Sequence, residues 1–213
     1  LRIKHELKKY ADSGYQGILK LYPDATEADY RQAFADIGSS LEEADSFFNM
    51  LVAKIGDETI LVDAGLRYKP KGGYLLDSMS LAGIEPDEIT QVVITHTHAD
   101  HVFGLVLMDG KQPAFPNATY VISKEEMVFW QKIIDDGAKG QRPIVSMMEE
   151  KGIRLIDMDE QIVPGLTAIP IPGHTPGHIA LLLESGGEKL IHMADLLHSP
   201  MQFAHPEWSP TYD

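Results

Sequence analysis

From Phe47 onward the chain alternates short apolar runs with turn residues, whereas the residues before it are polar and read as helical. "FFNMLVAKI" and "TILVDAG", with "DE" as the turn between them, predict a β-hairpin. "GYLLDSMSLAG" has helical spacing and stops at Gly83, while "QVVITH" is short, apolar and β-branched, as a buried strand should be. "ATYVIS" predicts another strand, and "KEEMVFWQKII" a helix with Ser123 as its N-cap. The loop "DDGAKGQRP" leads to a helix ending near Gly152. Strands are then predicted over "IRLID", "LTAIPI", "IALLLES" and "KLIHMAD", with "GGE" turning the last pair. Residues 1–46 predict an N-terminal helical segment packed on the core. It breaks at Pro23 and restarts at Thr26, where "TEAD" has capping-box character with Asp29 in place of the usual Glu. Helices and strands that alternate loosely, with hairpins among them, favour an α/β sandwich with helices on its outer faces over a doubly wound parallel sheet.

A chain of 213 residues with 44% hydrophobic content is ordinary for one large or two small globular domains with a filled core. No stretch approaches the ~20 uninterrupted apolar residues of a membrane-spanning helix, and "LRIKHELKKYADSG" is basic without an apolar signal core. The expectation is a soluble chain, cytoplasmic or periplasmic, that does not engage a membrane. It starts at Leu1 rather than Met, which leaves room for a segment upstream. Against 18 basic residues stand 32 acidic ones, a formal charge of -14 with no basic cluster to offset it, so nucleic acid is discounted as a partner. Without cysteine there are no disulfides, zinc ribbons or thiol nucleophiles, and a metal must be held by imidazole and carboxylate.

Such groups cluster. "THTHADH" places His96, His98, Asp100 and His101 within six positions, directly after "QVVI". If the strand continues through Thr95 and Thr97, His96 and His98 project from the same side and can meet one ion, while Asp100 and His101, at the start of a helix "DHVFGLVLM", can turn toward a second position. Scattered surface histidines are a poor alternative when three of the chain's nine fall so close together. "IPIPGHTPGHIALLL" sets His174 in a Gly/Pro-rich turn that fixes its direction, with His178 read as structural or as a supporting neighbour of the ligands. "KLIHMADLL" ends its strand on Asp195, whose carboxylate can bridge two ions, and places His192 in the core. "TILVDAG" ends on Asp63, placed to orient a ligand histidine through its second ring nitrogen.

"LVDAG", "THTHADH", "PGHTPGH" and "MAD" together resemble, in order, the signature segments of the metallo-β-lactamase superfamily of metallohydrolases, over about Phe47 to Asp195. The resemblance implies a four-layer αββα sandwich with metals at the sheet edge. It assigns His96, His98 and His174 to one ion, Asp100 and His101 to a second, Asp195 as the bridge, and Asp63 as a supporting partner. The expected cofactors are two divalent ions, zinc first, with manganese, iron or cobalt compatible with the same ligands. Two such ions generate a hydroxide nucleophile near neutral pH and polarise the substrate, so no serine or cysteine nucleophile is needed; Asp100 is further placed to steer a proton to the leaving group.

Two features depart from that pattern. The superfamily supplies a further histidine well after the bridging aspartate, and His198 and His205 lie too near Asp195 to serve, so the expectation is a domain over 47–213 that lacks its last helix and strand. Phe103 stands where many relatives have glycine, and reads as core under the helix rather than as pocket wall. "ADLLHSPMQFAHPEWSPTYD" resembles the branch containing methyl parathion hydrolase and, less closely, the N-acyl-homoserine lactonases. It implies cleavage of a small ester, lactone or phosphotriester, with Phe203 and Trp208 as pocket walls or as anchors of a loop, and with the N-terminal segment near the pocket or at a homodimer interface. A glyoxalase II-like thioesterase is the alternative within enzymes, and a non-catalytic binding protein that keeps the fold the alternative outside them.

Overall fold

The computed structural model describes residues 2–6, 22–43, 47–67 and 73–211; positions 7–21 of the expected helical segment, and 44–46, lie outside them. The chain divides into two compact units, one of Leu1–His5 with Phe48–Ala194, the other of Glu6–Phe47 with Asp195–Asp213.

The larger unit contains two sheets. Six strands run in the order β1 (Arg2–Glu6), β2 (Phe47–Ile55), β3 (Glu58–Val62), β4 (Gln91–Val93), β5 (Thr119–Ser123) and β6 (Ile153–Ile156). The β2–β3 hairpin is antiparallel and the pairs from β3 to β6 are parallel. Its turn is Gly56-Asp57 rather than "DE", because Gly56 takes the left-handed conformation (φ 60°) that the tight reversal needs, and Glu58 is then paired with Ile55. Four antiparallel strands make the second sheet, ordered β10 (Glu188–His192), β9 (Ile179–Ser185), β8 (Leu166–Pro170) and β7 (Gln161–Val163).

Alternation along the strands builds two cores. Leu61, Val92, Tyr120 and Ile122 point to one face, where they pack with Met79 of the Leu75–Leu81 helix, Trp130 and Ile134 of the Lys124–Asp136 helix and Met148 of the Arg142–Lys151 helix. Ile60, Val62, Val93 and Val121 point to the other, against Leu166, Ala168, Ile179 and Leu181 of the second sheet. Strands buried on both faces have no solvated side on which to place polar residues, which is why "QVVI" and "YVI" read as unbroken apolar runs. Helices, the six-stranded sheet and the four-stranded sheet are therefore successive layers.

In the smaller unit the Glu27–Asp36 helix starts with both halves of the predicted capping box. Asp29 N–H donates to the Thr26 hydroxyl at 3.3 Å, and Thr26 N–H donates to the Asp29 carboxylate at 2.9 Å. Tyr22, Tyr30, Phe34, Leu41, Met201 and Trp208 form its core. Trp208 meets Tyr30 edge-on at 5.0 Å and stacks with His205 at 3.9 Å, so it anchors the tail. Phe203 is 69% exposed. Among the described residues no helix is long and apolar enough to cross a membrane.

Candidate metal centre

Strand β4 stops at Val93 instead of running through Thr97. Ile94 still donates to Val121 across the sheet, but the next amides leave the ladder: Thr95 N–H donates to Asp63 Oδ1 at 2.9 Å and Thr97 N–H to Glu126 Oε1 at 2.8 Å. Two side-chain carboxylates take the places of backbone carbonyls. The segment is released from the pleat while these amides stay satisfied and the Thr95 carbonyl accepts from Ile179 N–H at the start of β9, so Thr95, His96 and Thr97 can be fully buried outside the β4 ladder. His98 is the N-cap residue of the one-turn helix Ala99–Val102, and the turn brings His101 back toward His96, with ring centroids 4.0 Å apart. The helix continues only as the 3-10 turn Phe103–Leu105 and is shorter than its apolar pattern predicts.

Asp63 follows the end of β3 in the left-handed region (φ 56°), a conformation aspartate tolerates better than most residues. There its carboxylate organises the histidines. His101 Nδ1 stands 2.9 Å from Asp63 Oδ2, a contact that requires a hydrogen on Nδ1 and leaves the lone pair on Nε2. The Thr95 hydroxyl donates to the same Oδ2 at 2.7 Å. With its one hydrogen used, that hydroxyl can only accept from His96 Nδ1, 3.2 Å away, and His96 likewise presents Nε2 as a base.

From the loop between β8 and β9, His174 reaches the same place. Its Nε2 lies 2.8 Å from His98 Nδ1, and its ring centroid is 4.8 Å from that of His96. His96, His98 and His174 can each offer a nitrogen within 4.8 Å of the others. Three imidazoles, one with its tautomer set by a hydrogen bond that ends on a carboxylate, are a donor set that fits a divalent ion of zinc's borderline softness.

Other expected residues fall as follows. The Asp100 carboxylate is 4.0 Å from His101 Nε2 and 29% exposed, beside the trio and not within it. Asp195 is not the end of a strand: β10 ends at His192, and Asp195 opens the second unit in the 3-10 turn Ala194–Leu196, with Oδ2 3.4 Å from His198 Nε2. His178 is fully buried with its ring 4.7 Å from that of His96, whereas His192 is half-buried rather than a core residue. Phe103 packs against the helix-side core and carries the Arg67 guanidinium 5.6 Å above its ring.

One residue has no counterpart among the expected ones. Glu126, fully buried in the first turn of the Lys124–Asp136 helix, accepts from the Thr97 hydroxyl at 2.7 Å and from the Thr175 hydroxyl at 2.7 Å, as well as from the Thr97 and Gly177 amides. The signal that conceals it is "SKEE": Ser123 and Glu126 have the spacing of a capping box, in which the glutamate would turn back to its own N-cap.

The metallo-beta-lactamase superfamily model matches residues 48–209. An N-acyl homoserine lactonase of a Bacillus species is 25% identical over 113 residues, covering 52% of this chain and 39% of its own length. The probable metallo-hydrolase YqjP of Bacillus subtilis (strain 168) is 26% identical over 155 residues, 63% of this chain and 49% of its own. The matched parts thus span less than half of these curated relatives. Among solved structures, AidC, a dizinc quorum-quenching lactonase in complex with a product N-hexanoyl-L-homoserine, is similar with a TM-score of 0.80 and 27% identity, over 100% of this chain and 74% of that one. The hydrolase AbOPH in the beta lactamase superfamily gives a TM-score of 0.79 and 26% identity over 91% and 72%. The fold is theirs, two layered sheets with helices, and the family match runs from the first hairpin through both histidine loops: the chain belongs to the metallo-β-lactamase superfamily.

Proposed function

We propose that this chain is a binuclear metal-dependent hydrolase of small lactones, with esters and phosphotriesters as related substrates. The observation that carries the reading is the convergence of His96, His98 and His174 from two loops 76 residues apart in sequence. By family likeness Asp100 and His101 hold a second ion and Asp195 bridges the two. Lactones come first because the N-acyl homoserine lactonase and AidC are both lactonases.

When bound, a pair of divalent ions lowers the pKa of a water molecule toward neutrality and withdraws charge from the carbonyl under attack. The chain's own residues do the rest. Asp63 keeps Nδ1 of His101 protonated directly and that of His96 through Thr95, so both rings offer Nε2 in a fixed direction. The half-buried Asp100 carboxylate is placed to take a proton and deliver it to the departing alkoxide, which ring opening of a lactone requires. Buried Thr95, His96 and Thr97 form a floor closed to bulk water.

The test is hydrolysis of N-hexanoyl homoserine lactone followed by proton release, beside an aryl ester and a phosphotriester. Lactone turnover that a chelator abolishes and zinc restores supports the reading. Turnover of none of the three by zinc-loaded protein contradicts it.

A further inference from the structure

The loops that carry His98 and His174 are not joined by a strand ladder. β4 ends five residues before His98, and His174 lies in the turn between β8 and β9. Besides the backbone bond from Ile179 N–H to the Thr95 carbonyl at 3.2 Å and the contact of the two histidines themselves, one side chain holds both loops. Glu126 Oε1 accepts from Thr97 twice, from its N–H at 2.8 Å and its hydroxyl at 2.7 Å. Glu126 Oε2 accepts from the Thr175 hydroxyl at 2.7 Å and the Gly177 N–H at 3.1 Å. Each oxygen serves one loop. Thr97 separates His96 from His98, and Thr175 follows His174 directly.

The carboxylate is itself held in place. Its residue lies in the first turn of the Lys124–Asp136 helix, where the Ser123 hydroxyl accepts from Glu126 N–H at 3.1 Å and donates to the Gly177 carbonyl at 2.7 Å. Gly177 packs so closely that a Cβ there would lie 2.1 Å from Glu126 N. Helix terminus and loop are interlocked through backbone and side chain together, and the glutamate is fully buried. A buried carboxylate is costly to keep, and all four of its hydrogen bonds go to residues beside the histidines rather than to the sheets or helices of the core.

We propose that Glu126 is a positioning residue of the metal centre, a single buried carboxylate that sets the spacing of His98 and His174 by holding one of their loops on each oxygen. The proposal rests on the reading of those histidines as ligands. Its chemistry demands a carboxylate. Oε1 faces the Thr97 amide and Oε2 the Gly177 amide, so either orientation of a glutamine would turn an NH2 group against a backbone N–H that cannot reverse. Aspartate is one methylene too short to reach both.

The experiment compares the full chain with Glu126→Gln, Thr97→Val, Thr175→Val and His98→Ala. Zinc affinity is read by competition with a chromophoric chelator, the visible spectrum of the cobalt-loaded protein reports ligand geometry, and thermal melting of the metal-free forms reports folding. The valines remove one donor each at nearly constant shape, so they remain informative if Glu126→Gln does not fold. Each valine variant is expected to bind zinc about 10-fold more weakly, and Glu126→Gln toward 100-fold, as for other supporting partners of metal ligands. The cobalt spectrum should shift in all three, with the metal-free valine variants still folded and melting below the parent, because each takes one hydroxyl donor from a buried carboxylate. Unchanged affinity and spectrum in both valine variants, with His98→Ala losing zinc, would overturn the role of Glu126 alone, whatever the melting temperatures. Parental affinity in His98→Ala would overturn the ligand reading, and the positioning role with it.

Discussion

The Thr95 hydroxyl gives its hydrogen to Asp63 at 2.7 Å and therefore accepts from His96 at 3.2 Å, so that one aspartate sets the protonation of two histidines, His101 by contact and His96 by relay. Asp63→Asn separates this task from the backbone's needs. Asparagine tolerates the left-handed conformation at this position and its carbonyl can still accept from Thr95 N–H, but its NH2 faces His101 and favours the wrong tautomer. Zinc affinity and lactone turnover are expected to fall about 10- to 100-fold. Urea denaturation of the metal-free variant should stay near the parent, and an unchanged affinity would show that the tautomer is set elsewhere.

Gly177 has no room for a side chain. A Cβ would sit 2.1 Å from the Glu126 nitrogen, against backbone that cannot yield without moving the helix start. Gly177→Ala is expected to cost about 1–3 kcal/mol, the range for overpacking a closed site. Gly104→Ala, whose Cβ would lie 2.0 Å from the Ala64 carbonyl, should behave alike. Gly140→Ala, which has open space, is the control in the same denaturation series.

The capping box at Thr26 is a local device with a local effect. Thr26→Ala removes the acceptor for Asp29 N–H and is expected to lower stability by about 1 kcal/mol. Loss of helical circular dichroism should begin at lower urea than in the parent, with zinc affinity untouched.

Alkaline pH should weaken the smaller unit through Tyr30. Burial, followed by the nearby Asp24 and Asp29, pushes its phenol from the ordinary 10.0 up to about 12, and its hydroxyl donates to the Tyr22 carbonyl. The folded pKa is the higher one, so this contribution is intact below pH 10.0 and is lost as the pH climbs toward about 12. Tyr30→Phe should flatten the decline of stability across that window, as measured by urea midpoints at successive pH values. Parallel declines would assign the effect to another group.

Much of this arrangement is legible in the sequence because its signals are local. The Thr26 box, the Ser123 cap and the stop at Gly83 each depend on residues within one turn of each other. The histidines declare themselves by residue type and clustering. The end of β4 is different: whether Thr95 and Thr97 stay in a ladder is decided by carboxylates 32 and 29 residues away, which no window along the chain contains. Strand β7 is three residues long with a bulge against β8, too short for an alternating pattern. Glu126 hides behind a helix-start signature in which its amide takes part and its side chain does not.

The measurement that bears most directly on the central reading is the metal content per chain, by elemental analysis of protein purified without chelator, beside His98→Ala. About two ions per chain in the parent, and fewer in the variant, is the predicted result for a binuclear site built on these histidines. One ion or none in the parent, or equal content in the two proteins, would contradict it.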